Sequence, residues 1–311
     1  MSDTALVTGG AGFIGGHLVE RLLGEGLEVR VLDDLSTGLW SNLSAVQNHI
    51  EFIKGDIRDA SLCRQAANGS RWIFHEAALG SVPRSVKDPI HTTEVNLSGT
   101  LNMLEAARIA GAERFIFAAS SSAYGDTETL PKVETMNPRP LSPYAASKVA
   151  CEHYCRAYWQ SYRLPTIALR YFNVFGPRQR ADGPYAAVIP RFFEAMLNNQ
   201  QAKIYGDGSQ SRDFTFVQNA VNANLLAARA QDETCGRVFN IATGVRASIR
   251  QIFEVIADLL DKDIEPIYAE DRVGDIKHSL ADITQARSWL RYEPEINLKE
   301  GLKRVAATVA T

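Results

Sequence analysis

Short apolar runs alternate with longer amphipathic stretches through the first half of the chain. Residues 5–7, 29–32, 52–54, 72–76, 114–118 and 166–170 are dominated by apolar side chains and have strand length. Stretches such as 100–110 and 147–162 instead repeat their apolar positions at helical spacing. Strands of this kind, each followed by a helix, predict right-handed crossovers and a parallel, doubly wound sheet of the α/β class. In such a sheet the ligand lies at the carboxyl ends of the strands. After residue 172 the alternation breaks, Gly and Pro punctuate residues 175–190, and the segments shorten. The pattern predicts a main domain over residues 1–172, with 213–242 returning to it, and a smaller mixed lobe from 173–212 and 243–311. No internal repeat, low-complexity tract or flexible linker interrupts the chain.

The first strand runs through Thr8 into Gly9-Gly10-Ala11-Gly12-Phe13-Ile14-Gly15, and residues 17–23 then repeat apolar positions as a helix does. Glycines at 9, 12 and 15 allow a tight turn, close backbone approach to a pyrophosphate and close packing of helix on sheet. The helix would point its unpaired N–H groups and dipole at the phosphates. Gly9, Gly12, Phe13, Ile14 and Gly15 are therefore candidate cofactor contacts. The second strand ends in Asp33-Asp34. An acid about 20 residues past the glycines suits the adenosine ribose hydroxyls and repels a 2′-phosphate, which favours NAD over NADP. Asp33 fits that role; Asp34, at the same tip, also reads as a solvated turn former. A glycine turn without a ligand is the bland alternative, weakened by strand, helix and acid standing together. The spacing Gly-x-x-Gly-x-x-Gly is similar to that of the short-chain dehydrogenase superfamily.

Composition narrows the field by exclusion. The 311 residues are 45% hydrophobic and 22% charged with a net charge of -3, as in ordinary globular enzymes, and no Lys/Arg run offers a nucleic-acid surface. No apolar stretch approaches the ~18 residues that span a bilayer, and Met1-Ser2-Asp3 is no secretory n-region. A cytoplasmic protein is expected. Four irregularly placed cysteines make no disulfide framework. Cys151 and Cys155 share a helix face while His153 points elsewhere, so free packed thiols are expected and no metal.

Tyr144-Ala145-Ala146-Ser147-Lys148 places a tyrosine and a lysine at i and i+4 on one helix face. An unassisted phenol is a poor base at neutral pH. A neighbouring ammonium and a cationic nicotinamide both favour phenolate and suit it to proton abstraction. The lysine can also hold nicotinamide ribose hydroxyls. Alone, the pair reads as a solvated helix face. Leu141-Ser142-Pro143 supplies a helix start before it, and residues 114–118 lead into Ala119-Ser120-Ser121-Ser122, which puts a hydroxyl at a strand end.

These motifs join His75-Glu76-Ala77-Ala78-Leu79-Gly80-Ser81-Val82-Pro83-Arg84-Ser85, Ser120-Ser121-Ser122-Ala123-Tyr124-Gly125, Arg170-Tyr171-Phe172-Asn173-Val174-Phe175-Gly176 and Gly274-Asp275-Ile276-Lys277-His278-Ser279-Leu280-Ala281-Asp282. With them the chain resembles, over essentially its full length, the extended short-chain dehydrogenases of the nucleotide-sugar epimerase and dehydratase family. Within that family it is most similar to bacterial UDP-N-acetylglucosamine 4-epimerases. The resemblance implies a Rossmann sheet binding NAD and a smaller lobe binding a UDP-hexose. It gives catalytic roles to Ser120, Tyr144 and Lys148, with Ser121 and Ser122 facing the sugar or packing beneath it. Asp56 and Ile57 would flank the adenine, Ala77 and Ala78 would line the cofactor groove with Asn96 nearby, and Tyr171 would meet the cofactor. Gly80 and Ser81 would lie beside the sugar, Asn173 at the diphosphate, and Ala187 and Val188 at the uracil. Arg212 and Arg272 would pair with diphosphate oxygens, as guanidinium forks do, and Asp275 with the uridine ribose. Without the resemblance these last three read as surface ion-pair formers. It further implies a homodimer in which helices over 96–110 and 142–162 form a four-helix bundle.

The family's alternatives sort on three positions. Its 4,6-dehydratases place an Asp-Glu pair where Ser121 and Ser122 stand here, which disfavours water elimination. Its glucuronate epimerases tend to carry Arg, and its glucose/galactose epimerases Lys, where Gly80 stands. Strict glucose/galactose epimerases carry a bulky tyrosine at the place of Ser279, so serine leaves room for an acetamido group. The expectation is interconversion of UDP-N-acetylglucosamine and UDP-N-acetylgalactosamine, with weaker action on UDP-glucose and UDP-galactose permitted. A UDP-glucose 4-epimerase is the runner-up, then a UDP-glucuronate 4-epimerase. A catalytically idle NAD-binding regulator is the non-enzyme alternative; the presence of all three catalytic residues counts against it.

Overall fold

The computed structural model describes residues 4–181, 187–270 and 277–309. The predicted strands form one parallel sheet of seven, ordered β3-β2-β1-β4-β5-β6-β11. They are β1 (Thr4–Thr8), β2 (Glu28–Asp33), β3 (Ile50–Lys54), β4 (Trp72–His75), β5 (Arg114–Ser120), β6 (Thr166–Tyr171) and, after an excursion, β11 (Arg237–Ile241). The order reverses between β1 and β4, and there a crevice opens at the carboxyl ends. The strand expected over 72–76 stops at His75.

Alternate side chains of each strand serve two cores, which is why the strands read as unbroken apolar runs. Val7, Val31, Phe74, Ile116 and Leu169 pack on one face, beneath α1 (Phe13–Gly24) and α8 (Val217–Ala228). Leu6, Leu32, Ile73, Phe115 and Phe117 pack on the other. That face is covered by α2 (Ala60–Ala67), α5 (Gly99–Ala110) and α6 (Pro143–Tyr162). Two short helices, α3 (Val82–Lys87) and α4 (Pro89–Thr93), lead through a π turn at Glu94–Ser98 into α5. Regular helix therefore begins at Gly99, later than the 96 expected.

The start of α6 follows from its sequence. Ser142 accepts a hydrogen bond from the Ala145 N–H at 3.1 Å, and Pro143 occupies the first turn, where a missing N–H costs nothing. Beneath α6, Glu152 takes both guanidinium arms of Arg170 on β6 at 2.8 and 2.7 Å, both side chains only 4% exposed. Cys151 and Cys155 are buried free thiols on this helix.

Beyond β6 the chain builds three small two-stranded sheets. β7 (Val174–Phe175) pairs with β10 (Thr215–Phe216), β8 (Lys203–Tyr205) with β13 (Ile267–Ala269), and β9 (Ser211–Asp213) with β12 (Arg246–Ser248). Around them lie α7 (Val188–Leu197), α9 (Ile249–Leu260) and α10 (Leu298–Val309). Phe192 of α7 meets Phe253 of α9 edge to face at 5.5 Å. Between these excursions α8 returns to the main sheet, and β11 pairs parallel with β6 from Arg237 opposite Ile167.

Candidate active site

A cleft of about 670 Å³ runs along the carboxyl ends of the strands, from the glycine turn to the segment around Ser279. At its β1 end Gly9 has φ +69°, and a Cβ there would lie 2.7 Å from the Ala77 nitrogen. A Cβ on Gly15 would lie 2.2 Å from the Gly9 carbonyl oxygen. Only hydrogen fits at either place. Gly12 begins α1 with no side-chain cap, which leaves first-turn N–H groups open to the cleft that Gly12, Phe13, Ile14 and Gly15 line. Unpaired donors at the positive end of a helix dipole suit a pyrophosphate, so the residues present fit a dinucleotide.

Asp33 holds the turn's shape as well as its own position. Its carboxylate accepts the Ala11 N–H at 2.9 Å and the Leu35 N–H at 2.8 Å, and burial raises its pKa. Lone pairs remain for ribose hydroxyls. Asp34 lines the cleft but turns its carboxylate onto the Ser36 N–H and hydroxyl, the turn-forming alternative made concrete. Behind the turn, Thr100 donates to the Asn96 carbonyl at 2.5 Å, so His75 Nε2 must donate to Thr100 at 2.9 Å and Nδ1 must accept from Thr8 at 2.7 Å. Burial holds that imidazole neutral, its pKa pushed down to about 3.

The reactive candidates converge farther along. Tyr144 and Lys148 line the cleft from α6, and Ser120, Ser121 and Ser122 line it from the end of β5. Ser120 Oγ accepts from the Ser122 hydroxyl at 2.8 Å and the Ser122 N–H at 3.2 Å. In that arrangement its own O–H is free to donate toward the cleft. Lys148 Nζ donates to the Ala118 carbonyl at 2.7 Å and sits 4.8 Å over the Phe117 ring, which leaves two donors. On the floor, the Tyr171 hydroxyl donates to Glu76 at 2.7 Å, and burial pushes the Glu76 carboxyl up to about 7.

Asp56, Ile57, Ala77, Ala78 and Gly80 line the same cleft, as do Asn173, Arg212 and Ser279. Asn173 donates to the Asp213 carbonyl at 2.9 Å, and Arg212 to the Ser211 and Lys277 carbonyls at 3.0 Å. Ala187 and Val188 line an adjoining cavity of about 260 Å³, which shares Asn173 and Arg212 with the cleft and adds Tyr205 and Gln210. Two expected contacts stand apart from the lining residues. Asn96 is buried behind the wall, where its amide exchanges bonds with the Leu79 backbone and donates to Ser147. Ser81 caps α3 by accepting the Arg84 N–H at 3.2 Å. Arg272 and Asp275 lie outside the described residues.

Other lining residues escaped sequence reasoning, among them Glu76, Lys132, Arg178, Gln179 and Arg180. Arg178, with φ +68°, donates to Glu20, His17 and the Asn42 carbonyl at 2.6–2.8 Å and so ties the loop after β7 onto α1. Its place two residues after the Arg170–Gly176 motif is the one sequence signal for it. Lys132 had none. Among the described residues no cluster of three or more His, Cys, Asp or Glu could hold a metal, and no helix is long and apolar enough to cross a membrane.

Sheet order, glycine turn and cleft together define a Rossmann-type dinucleotide-binding enzyme. The chain belongs to the NAD dependent epimerase/dehydratase family, whose model matches residues 5–242, and NAD is its cofactor. The UDP-glucose 4-epimerase of Mycolicibacterium smegmatis is 42% identical over 303 residues, 96% of each chain. The solved UDP-glucose 4-epimerase of Thermotoga maritima, with UDP-glucose, superposes with a TM-score of 0.94 at 37% identity over 99% of this chain and 98% of that one. The UDP-N-acetylglucosamine 4-epimerase of Methanobrevibacter ruminantium M1, in complex with UDP-N-acetylmuramic acid, gives 0.94 at 40% identity over 100% and 99%.

Proposed function

We propose that this NAD-dependent nucleotide-sugar 4-epimerase interconverts UDP-N-acetylglucosamine and UDP-N-acetylgalactosamine, with weaker action on the UDP-glucose pair. The observation that carries the reaction is the convergence of Tyr144, Lys148 and Ser120 in the cleft that also holds the glycine turn. The small Ser279 side chain at the sugar end favours the acetamido substrate. NAD, when bound, supplies the acceptor that takes two electrons from the sugar C4 position and returns them.

The chain's own residues do the rest. Tyr144 takes the proton from the sugar O4 hydroxyl and later gives it back, leaving a 4-keto sugar in between. Ser120 donates its free O–H to the same oxygen, and Lys148 holds the positive charge that favours phenolate. Asn173 and Arg212 hold the diphosphate, with Ala187 and Val188 beside the base. Arg272 and Asp275 complete that anchor in this reading. Binding strength remote from the reacting carbon leaves the hexose free to present its opposite face. The reading includes a homodimer through α5 and α6, supported by apolar side chains exposed on them at Ile109, Tyr154 and Tyr162.

Incubation with each UDP-hexose and chromatographic separation of products tests the assignment. Faster equilibration of the N-acetylated pair supports it; preference for UDP-glucose moves the enzyme to the runner-up. Tyr144→Phe is expected to lower kcat by about 10²- to 10⁴-fold while NAD stays bound. A near-normal rate would remove Tyr144 as the base.

A further inference from the structure

Lys132 is 2% exposed yet lines the cleft. Its backbone fixes where it stands. The Lys132 N–H donates to the Leu280 carbonyl at 2.7 Å, its carbonyl accepts the Asp282 N–H at 2.9 Å and Asn240 Nδ2 at 2.9 Å, and it forms a parallel bridge with Ala281. The side chain lines the same cleft as Ser279. Its Nζ donates to the Thr127 carbonyl and forms no ion pair with a described carboxylate; Asp126 is the acidic group whose charge it feels. An ammonium has three N–H donors. One is used, which leaves two for an acceptor in the cleft, and desolvation lowers its pKa.

We infer that Lys132 is a specificity-determining residue whose Nζ donates to the acyl oxygen of a 2-acetamido group lodged in the space beside Ser279. The inference rests on the proposed substrate. The hydroxyls away from C2 are shared by both pairs and cannot account for discrimination, whereas at C2 the N-acetylated sugars carry an amide carbonyl, a strong acceptor, where glucose and galactose carry a hydroxyl. A buried polar group built to meet a substituent penalises the substrate that lacks it, because the donor is then left unpaired.

The test is kcat/KM for UDP-N-acetylglucosamine and UDP-glucose with wild type, Lys132→Met and Lys132→Gln. Methionine is expected to lower the N-acetylated value by about 10- to 100-fold, mainly through KM, because a charged hydrogen bond is lost. The glucose value should change by less than about 3-fold, so the preference collapses. Glutamine keeps an N–H donor and should keep part of the preference, which preserves the test should the methionine variant not fold. Equal losses on both substrates in either variant would make Lys132 a structural strut and overturn the inference, as would an unchanged ratio in Lys132→Met. UDP-glucuronate serves as a third arm. Turnover of it that falls in Lys132→Met while the N-acetylated rate holds would aim the ammonium at a sugar carboxylate instead. Wild type with no N-acetyl preference defeats the proposed substrate, a result read before any variant is made.

Discussion

At Gly15 an added methyl would stand 2.2 Å from the Gly9 carbonyl oxygen, a backbone atom with no rotamer through which to yield. Gly15→Ala must therefore move the turn away from α1. The expected cost is about 1–3 kcal/mol of stability, as for other overpacked sites, with NAD affinity reduced about tenfold or more. Urea unfolding and an NAD titration check both. Ser120 illustrates a different kind of constraint. The Ser122 N–H and hydroxyl both bond to its oxygen, so the Ser120 side chain is positioned by its neighbour before a substrate arrives. Pre-set donors of this kind need no reorganisation when charge develops nearby.

The helix that carries Tyr144 and Lys148 is locked to the sheet by Glu152 and Arg170. Glu152→Gln leaves a buried guanidinium without its counter-charge and is expected to destabilise the protein by about 3–5 kcal/mol. Equilibrium unfolding would show it, and Glu152→Gln with Arg170→Met should recover part of the loss. Elements of this kind are legible in the sequence where local chemistry alone decides them. The apolar runs at 114–118 and 166–170, the Ser142-Pro143 start and the glycine turn all specify themselves within a few residues. What is hidden depends on partners distant in the chain. Asn96 looked like a groove residue, but a π turn and the Leu79 backbone take it behind the wall. Lys132 reaches the cleft only because residues 280–282 pair with its backbone. Nothing in the neighbouring residues could announce that pairing.

Across the whole molecule, the loop after β7 is clasped to the cofactor helix by Arg178, Glu20 and His17. His17 Nε2 donates to the Pro177 carbonyl at 3.0 Å, so Nδ1 accepts from Arg178 at 2.6 Å, and the ring must be neutral to do both. Burial first, then the Arg178 charge, lowers its pKa, opposed by the hydrogen bond to Pro177 and by Glu20; α8, packed on the same helix, carries no ionisable residue. A histidine whose folded pKa is depressed adds stability above its unfolded value near 6.5 and loses it as pH falls through the folded value. Thermal melting of wild type should therefore fall more steeply between about pH 7 and about pH 5 than that of His17→Gln. Glutamine can donate and accept in the same places without titrating, and the buried His75 contributes equally to both proteins. The late arrival of β11 has a consequence for synthesis. Until residues 237–241 leave the ribosome, β6 offers a bare row of amides and carbonyls, and the nascent chain carries an open sheet edge of the sort that invites mispairing. The seventh strand can join the main sheet only after residue 241 of 311 has been made, so the sheet is completed by a strand translated after the excursion that carries β7 to β10.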